Sequence, residues 1–267
     1  MPIAGPTPPT PGLTSRRKTA ESSYQDWKNG IPKRNATVYG RVLKSQKSEL
    51  ADACWSKTLL ETEAGWLTEP VDVTPAMMGA VPLTPRYAIS EQHGNSARKI
   101  RLIDDFRASG INSIITTEDA NIPDALDVFM AIASYFALAV PGCDLLCATA
   151  DFAHAYKHIP ILEDQREFAT ILLAPPTGPL KAATLRTQPF GARRAPTNWP
   201  RVTLFLKWAM LVFSGTAISI YVDDVFVVEP AETIESACRG FRELCAILGF
   251  QSGGAQNNNY RLRLRRY

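Results

Sequence analysis

Asp223 and Asp224 stand side by side inside the apolar run Ile218-Ser219-Ile220-Tyr221-Val222-Asp223-Asp224-Val225-Phe226-Val227-Val228. Adjacent carboxylates repel each other, and an apolar surround disfavours each charge, so the pair calls for a compensating cation. Mg²⁺ is the hard cation that suits carboxylate oxygens beside a phosphate-bearing substrate, sharing its coordination between a few carboxylates, phosphate and water. A solvent-facing Asp-Asp turn would be the plainer reading of this hairpin alone. A third carboxylate changes the balance: Asp151 closes a second apolar run, Leu145-Leu146-Cys147-Ala148-Thr149-Ala150, and leads into Phe152-Ala153-His154-Ala155-Tyr156-Lys157-His158-Ile159-Pro160-Ile161. Cys143, Cys147, His154 and His158 mimic a zinc-finger spacing, but the strand ending at Asp151 lies between the two pairs and would hold them apart. The two histidines read as surface or packing residues of a turn.

The elements that must carry these acids can be read from period and punctuation. Residues 217–222 and 225–228 are β-branched runs flanking the acids as a hairpin would. Residues 145–150 read as a short buried strand, and 123–140 as a buried helix with Pro123 near a first-turn position. The apolar run in that helix ends at Pro141-Gly142 and falls short of the roughly 20 residues of a membrane span, so no membrane partner is expected. Residues 98–106 look like a strand closed by turn signals at Ser109-Gly110 and Ile111-Asn112. Residues 165–173 read as a strand joined through Pro175-Pro176-Thr177-Gly178-Pro179 to a partner at 182–187. Helical spacing marks 45–60, 201–213 and the amphipathic stretch 231–248, which Gly249 stops. Pro70, Pro75, Pro82 and Pro85 divide their region into short extended pieces, while the proline-rich first residues and the Gly- and Asn-rich last ones predict unpacked termini.

Bulk properties set the frame without naming a chemistry. The 267 residues are 45% hydrophobic and 21% charged, a composition of folded domains. Lys and Arg number 29 against 26 Asp and Glu, so a nucleic-acid partner would have to be met by local basic clusters such as Arg16-Arg17-Lys18, Arg98-Lys99-Ile100-Arg101 or Arg193-Arg194. Five cysteines in no disulfide-like framework, and a start without a signal peptide, point to a reducing intracellular compartment.

Four segments together carry a family resemblance. Residues 151–161 resemble the first catalytic motif of retroelement reverse transcriptases, a strand-end Asp followed by an aromatic and a closing Ile-Pro-Ile. Tyr221-Val222-Asp223-Asp224 is similar to the family's Tyr-x-Asp-Asp hairpin, and Gln188-Pro189-Phe190-Gly191-Ala192-Arg193-Arg194-Ala195-Pro196 to its middle motif. Arg101-Leu102-Ile103-Asp104-Asp105-Phe106-Arg107, with Asn112 beyond, resembles the fingers strand. Their order over 98–228 makes chance an unattractive explanation, because a lone Tyr-x-Asp-Asp is weak.

The resemblance implies an α+β fold: a right-hand polymerase palm on a ferredoxin-like split βαβ sheet, with fingers. It divides the chain into a proline-rich arm at 1–19, an undefined segment at 20–49, fingers at 50–112 and 159–188, palm at 113–158 and 189–250, and a basic tail at 251–267. The implied reaction is template-directed addition of deoxynucleotides to a primer 3′ end by two-metal phosphoryl transfer, on an RNA or DNA template. Asp151, Asp223 and Asp224 would hold two Mg²⁺ ions, with Mn²⁺ as a substitute. Tyr156 would lie under the incoming sugar and crowd a ribose 2′-hydroxyl, its alternative being a ring packed on the next helix. Arg101 would cover the nucleotide and reach its phosphate, with Lys99 or Arg98 as a second contact. Phe190 and Tyr221 would line the substrate, Gly191 would let the backbone approach nucleotide and template, and Arg193 and Arg194 would face either the template or solvent. Two departures qualify this. Pro200 falls inside a helix of the middle motif, and after Phe250 neither the family's lysine-bearing loop nor its thumb is recognisable. The expectation is therefore a polymerase domain truncated after the palm, the alternative being an inactive remnant that at most binds nucleic acid.

Overall fold

The computed structural model describes residues 15–92, 98–119, 124 and 126–250. In chain order the elements are β1 (Ser15–Lys18), α1 (Tyr24–Asn29), α2 (Ile31–Ser45), α3 (Ala51–Glu63), β2 (Val71–Asp72), α4 (Pro75–Ala80), β3 (Thr84–Glu91) and β4 (Lys99–Asp104). Then come α5 (Ile111–Ile114), β5 (Thr117–Asp119), α6 (Leu126–Ala139), β6 (Leu145–Asp151), β7 (Thr170–Leu173), β8 (Lys181–Thr184), α7 (Ala195–Ser214), β9 (Ile218–Tyr221), β10 (Asp224–Pro230) and α8 (Ile234–Ile247). The chain is α+β, and its contacts divide it into one unit of Met1–Ala120 with Ile159–Thr197 and another of Asn121–His158 with Asn198–Tyr267.

The first unit is built on a mixed sheet in the order β2-β8-β7-β3-β4, in which β3 and β7 run parallel and the other pairs antiparallel. All four residues of β7 are buried, as expected of a central strand rich in Ile and Leu. Val38 and Val42 of α2 pack with Leu83, Leu172, Leu180 and Ala182 into one apolar cluster. Asn35, 1% exposed, is satisfied on both sides of its amide: Nδ2 donates to the carbonyls of Met78 (3.0 Å) and Val81 (2.8 Å), and Oδ1 accepts from the Leu83 amide (3.0 Å). That bracket ties α2 to α4 and to the segment between α4 and β3, and leaves no buried polar atom of Asn35 unpaired.

The second unit carries the antiparallel sheet β6-β10-β9. Successive residues of β10 point to opposite faces. Phe226 meets Phe129 of α6 edge-on at 6.1 Å, whereas Val227 borders a small cavity with Cys238 and Phe241 of α8. The sheet thus lies between two helices. The α8 residues Ile234, Ala237, Cys238, Phe241 and Cys245 are all buried, an apolar stripe at helical spacing that explains why this amphipathic helix was readable. Gly249 follows it at φ 75, the left-handed conformation that favours glycine after a helix.

Several expectations need correction. The arm read as unpacked at 1–19 includes Ser15–Lys18, which pairs antiparallel with β5; residues 1–14 and the tail 251–267 lie outside the described residues. The helix read at 45–60 starts only at Ala51, because α2 ends at Ser45 and the Ser48 hydroxyl accepts from the Leu50 amide (3.0 Å) in the turn between the two helices. Glu163–Ala169 forms a 3₁₀ helix, so the strand read at 165–173 starts only at Thr170. Its charged run lacks a strand's alternation and makes a local Arg166–Glu163 ion pair at 3.2 Å. The stretch read as a buried helix is α6, which has no fully buried residue: Leu126 is 71% exposed and Leu138 81%. β6, read as buried, is an edge strand and only half-covered. Pro200 sits within a helix assigned continuously from Ala195 to Ser214, leaving the Pro196 carbonyl without its usual partner four residues on. No helix of the described residues is long and apolar enough to cross a membrane.

Candidate active site

The acids occupy one end of the second unit's sheet. Tyr221 and Asp224 are register partners across β9 and β10, so Val222 and Asp223 form a two-residue turn. On the other side of β10, Asp224 stands opposite Asp151, the last residue of β6. Directly opposed residues in an antiparallel pair have Cβ atoms about 4.5–5.5 Å apart, and like charges there are destabilising. The Phe152 amide donates to the Asp223 carbonyl at 3.1 Å, extending the ladder past the strand ends and fastening Asp151 to the turn. One sheet edge therefore holds Asp151, Asp223 and Asp224 together. Asp151 and Asp224 are exposed, and Asp223 is half-buried.

Electrostatics mark the same corner. Partial burial, then the neighbouring Asp223 carboxylate, push the Asp224 pKa up from the ordinary range. The Tyr156 phenol is also pushed up, first by burial and then by Asp223. A partly buried carboxylate with a like charge beside it favours an added cation. The donors are hard oxygens, which fit Mg²⁺ or Mn²⁺ in chemical type. Among the described residues, no three His, Cys, Asp or Glu side chains are gathered to hold one ion. The carboxylates would have to turn about their exposed side-chain torsions to meet on a cation.

Tyr156 lies in the 3₁₀ turn Ala155–His158 and is 6% exposed, its ring edge-on to Trp199 of α7 at 6.3 Å. Packing on the next helix, one of the two readings open for it, is realised. The turn is closed locally: the Lys157 amide donates to the His154 carbonyl (2.7 Å), and the His158 ring nitrogen Nε2 lies 2.9 Å from the Ala153 carbonyl oxygen. His154 takes φ 56 and is exposed; His158 packs on Phe250. Tyr221 is 51% exposed beside the acids.

The remaining expected residues belong to the first unit. Arg101 on β4 forms an ion pair with Glu91, and its side chain is 47% exposed. Lys99 and Arg98 are exposed. Phe190 is 59% exposed, whereas Gly191 is packed so closely that an added Cβ would stand 1.8 Å from the Asp104 carbonyl oxygen. The close approach read for this glycine is made to the end of β4 itself. Asn112 brackets the same turn, donating to the Gly191 carbonyl (3.0 Å) and accepting from the Arg193 amide (2.8 Å). Arg193 pairs with Glu21. Arg194 faces neither template nor solvent: it is fully buried, and Nη2 donates to the Thr116 carbonyl at 2.5 Å.

Two residues at the acidic corner escaped the sequence reading. Trp199 is buried and its indole N–H donates to the Val222 carbonyl. Asp124, from the segment before α6, accepts from the Ile220 amide (2.9 Å) and from Lys207 Nζ (2.7 Å), so it clamps the outer edge of β9. A lone Trp or Asp has no motif to announce such a role. Comparison of the chain with protein-family models and with curated proteins returned no match.

Proposed function

We propose that the chain carries the palm and fingers of an RNA-directed DNA polymerase of the retroelement type. The observation that supports this best is the register that sets Asp151 opposite Asp224, with Asp223 in the intervening turn and its carbonyl held by the Phe152 amide. Three acidic residues from two separate motifs brought to one end of a sheet by backbone register are what the two-metal reading needs of the fold, and a solvent-facing Asp-Asp turn does not account for Asp151.

In this reading the antiparallel sheet with its flanking helices serves as the palm, and the first unit's sheet as the fingers. Asp151, Asp223 and Asp224 would hold divalent cations, which when bound supply charge neutralisation at the transferring phosphoryl group. The chain's own part is positioning. Tyr156 packs on Trp199 close to Asp223, and in this reading what remains exposed of its ring would crowd a ribose 2′-hydroxyl, while exposed Arg101 would take a triphosphate in exchange for Glu91.

Primer extension on an RNA template with Mg²⁺ or Mn²⁺ tests the proposal, using the full chain and offering deoxy- or ribonucleotides. The expected result is deoxynucleotide addition by the native chain and at least a hundredfold loss in Asp223→Asn. Duplex binding without extension in any condition would favour the inactive remnant, and ribonucleotide preference would overturn the role of Tyr156.

A further inference from the structure

The turn that carries Asp223 has an unfavourable residue at its apex. Val222 takes φ 56, and with Asp223 outside the positive-φ set the loop has the pattern of a turn that wants glycine at its first central position. A β-branched residue at positive φ is an outlier, and it persists only where surrounding contacts over-determine it. Two such contacts are present. The Asp223 carbonyl accepts from the Phe152 amide, and the Val222 carbonyl accepts from the Trp199 indole N–H.

Trp199 is 2% exposed, and its indole nitrogen can only donate. Buried without a partner, that N–H would be costly, so the bond fixes the ring and the turn reciprocally. The same ring lies edge-on to Phe152 (5.2 Å), Tyr156 (6.3 Å) and Phe250 (6.4 Å). One side chain thus touches the residue after Asp151, the tyrosine beside Asp223, and the peptide joining Val222 to Asp223.

We propose that Trp199 is a positioning residue that holds the Val222 turn in its left-handed form and so directs the Asp223 carboxylate toward Asp151 and Asp224. Its consequence for metal binding rests on the polymerase reading above. Trp199→Phe keeps a ring for Phe152 and Tyr156 while removing the donor. Val222→Gly removes the strain, since glycine takes positive φ without a Cβ penalty.

Mn²⁺ titration of the full-length chain, followed by electron paramagnetic resonance with Asp223→Asn as control, tests this alongside backbone NMR. Trp199→Phe should weaken Mn²⁺ binding at least fivefold with its melting transition kept, and less than twofold in the Val222→Gly background. Equal losses in both backgrounds, or no loss, would overturn the proposal. If the native chain shows no Asp223-dependent Mn²⁺ binding, the polymerase reading fails. The positioning role is then read from NMR alone: the Val222 carbon shifts should leave their left-handed values in Trp199→Phe, and unchanged shifts overturn it.

Discussion

A methyl group on Gly191 would stand 1.8 Å from the Asp104 carbonyl oxygen, a backbone atom with no freedom to swing aside. Gly191→Ala should therefore cost on the order of 3 kcal/mol, the upper range of overpacking, measured as a lowered midpoint in urea. Gly240 makes the opposite case: it lies inside α8, and an added Cβ meets only the Ser214 Cβ at an ordinary 3.8 Å. Gly240→Ala should stabilise by about 0.5–1 kcal/mol, because alanine loses less backbone freedom in a helix. The sequence marked Gly191 as a point of close approach, and the neighbour that makes one is the Asp104 carbonyl. Residue type reveals that a backbone needs room, but the neighbour, 87 positions away in sequence (191 minus 104), is a tertiary fact. Arg194 is the same lesson with a charge, since nothing local to a basic pair shows that Thr116 will receive one member in the interior.

Elements with a strong period or a clear stop were legible, among them α8 with its buried stripe, the hairpin of β9 and β10, and the strand β4. Those decided by neighbours were not. A helix that is apolar on all sides, as α6 is, gives no sign of which face the sheet will cover, and the exposed Tyr135 (66%) and Leu138 (81%) follow from a sheet that meets one stripe only. Glu229 is 6% exposed on β10, and Thr233 just ahead of α8 donates its hydroxyl to the carboxylate at 2.9 Å. Burial pushes the Glu229 pKa up, with the Thr233 bond opposing. A carboxylate whose folded pKa exceeds its unfolded value contributes its full stability below the unfolded value, and that contribution is lost as pH rises through the folded one. Glu229→Gln, which keeps an acceptor for Thr233, should be the more stable form at pH 7. The difference should shrink as pH falls through the raised Glu229 pKa toward the ordinary carboxylate value of 4.5 and stay closed below it, read from melting temperatures across pH.

At the scale of the whole chain, each unit is assembled from two stretches that the other interrupts. The motifs placed cuts after 112, 158 and 188, whereas contacts place them after Ala120, His158 and Thr197. The displacement has a cause in pairings no motif encodes: Ser15–Lys18 holds Thr117–Asp119, Asn112 holds Gly191 and Arg193, and Thr116 holds Arg194. Assembly from distant stretches demands a device that fixes register, and in the first unit Arg86 supplies one. Its side chain is fully buried and paired through Nε with Asp104 (2.7 Å), through Nη2 with the same carboxylate (3.0 Å), and through Nη1 with Glu61 of α3 (2.8 Å). Burial draws the guanidinium pKa down, and the two carboxylates overcome this and raise it, so the charge is retained inside. Removing one partner from such a set leaves an uncompensated buried charge, at a cost of about 3–5 kcal/mol. Asp104→Ala should lose that much by chemical denaturation. Glu61→Gln should lose clearly less, because Glu61 is 15% exposed and water can take its place. Arg86→Met combined with Asp104→Leu should recover most of the Asp104→Ala loss, since replacing a buried ion pair by apolar side chains of similar size is often neutral. A double variant no better than Asp104→Ala would show that the forked geometry itself, rather than the stranded charge, holds β3 and β4 in register.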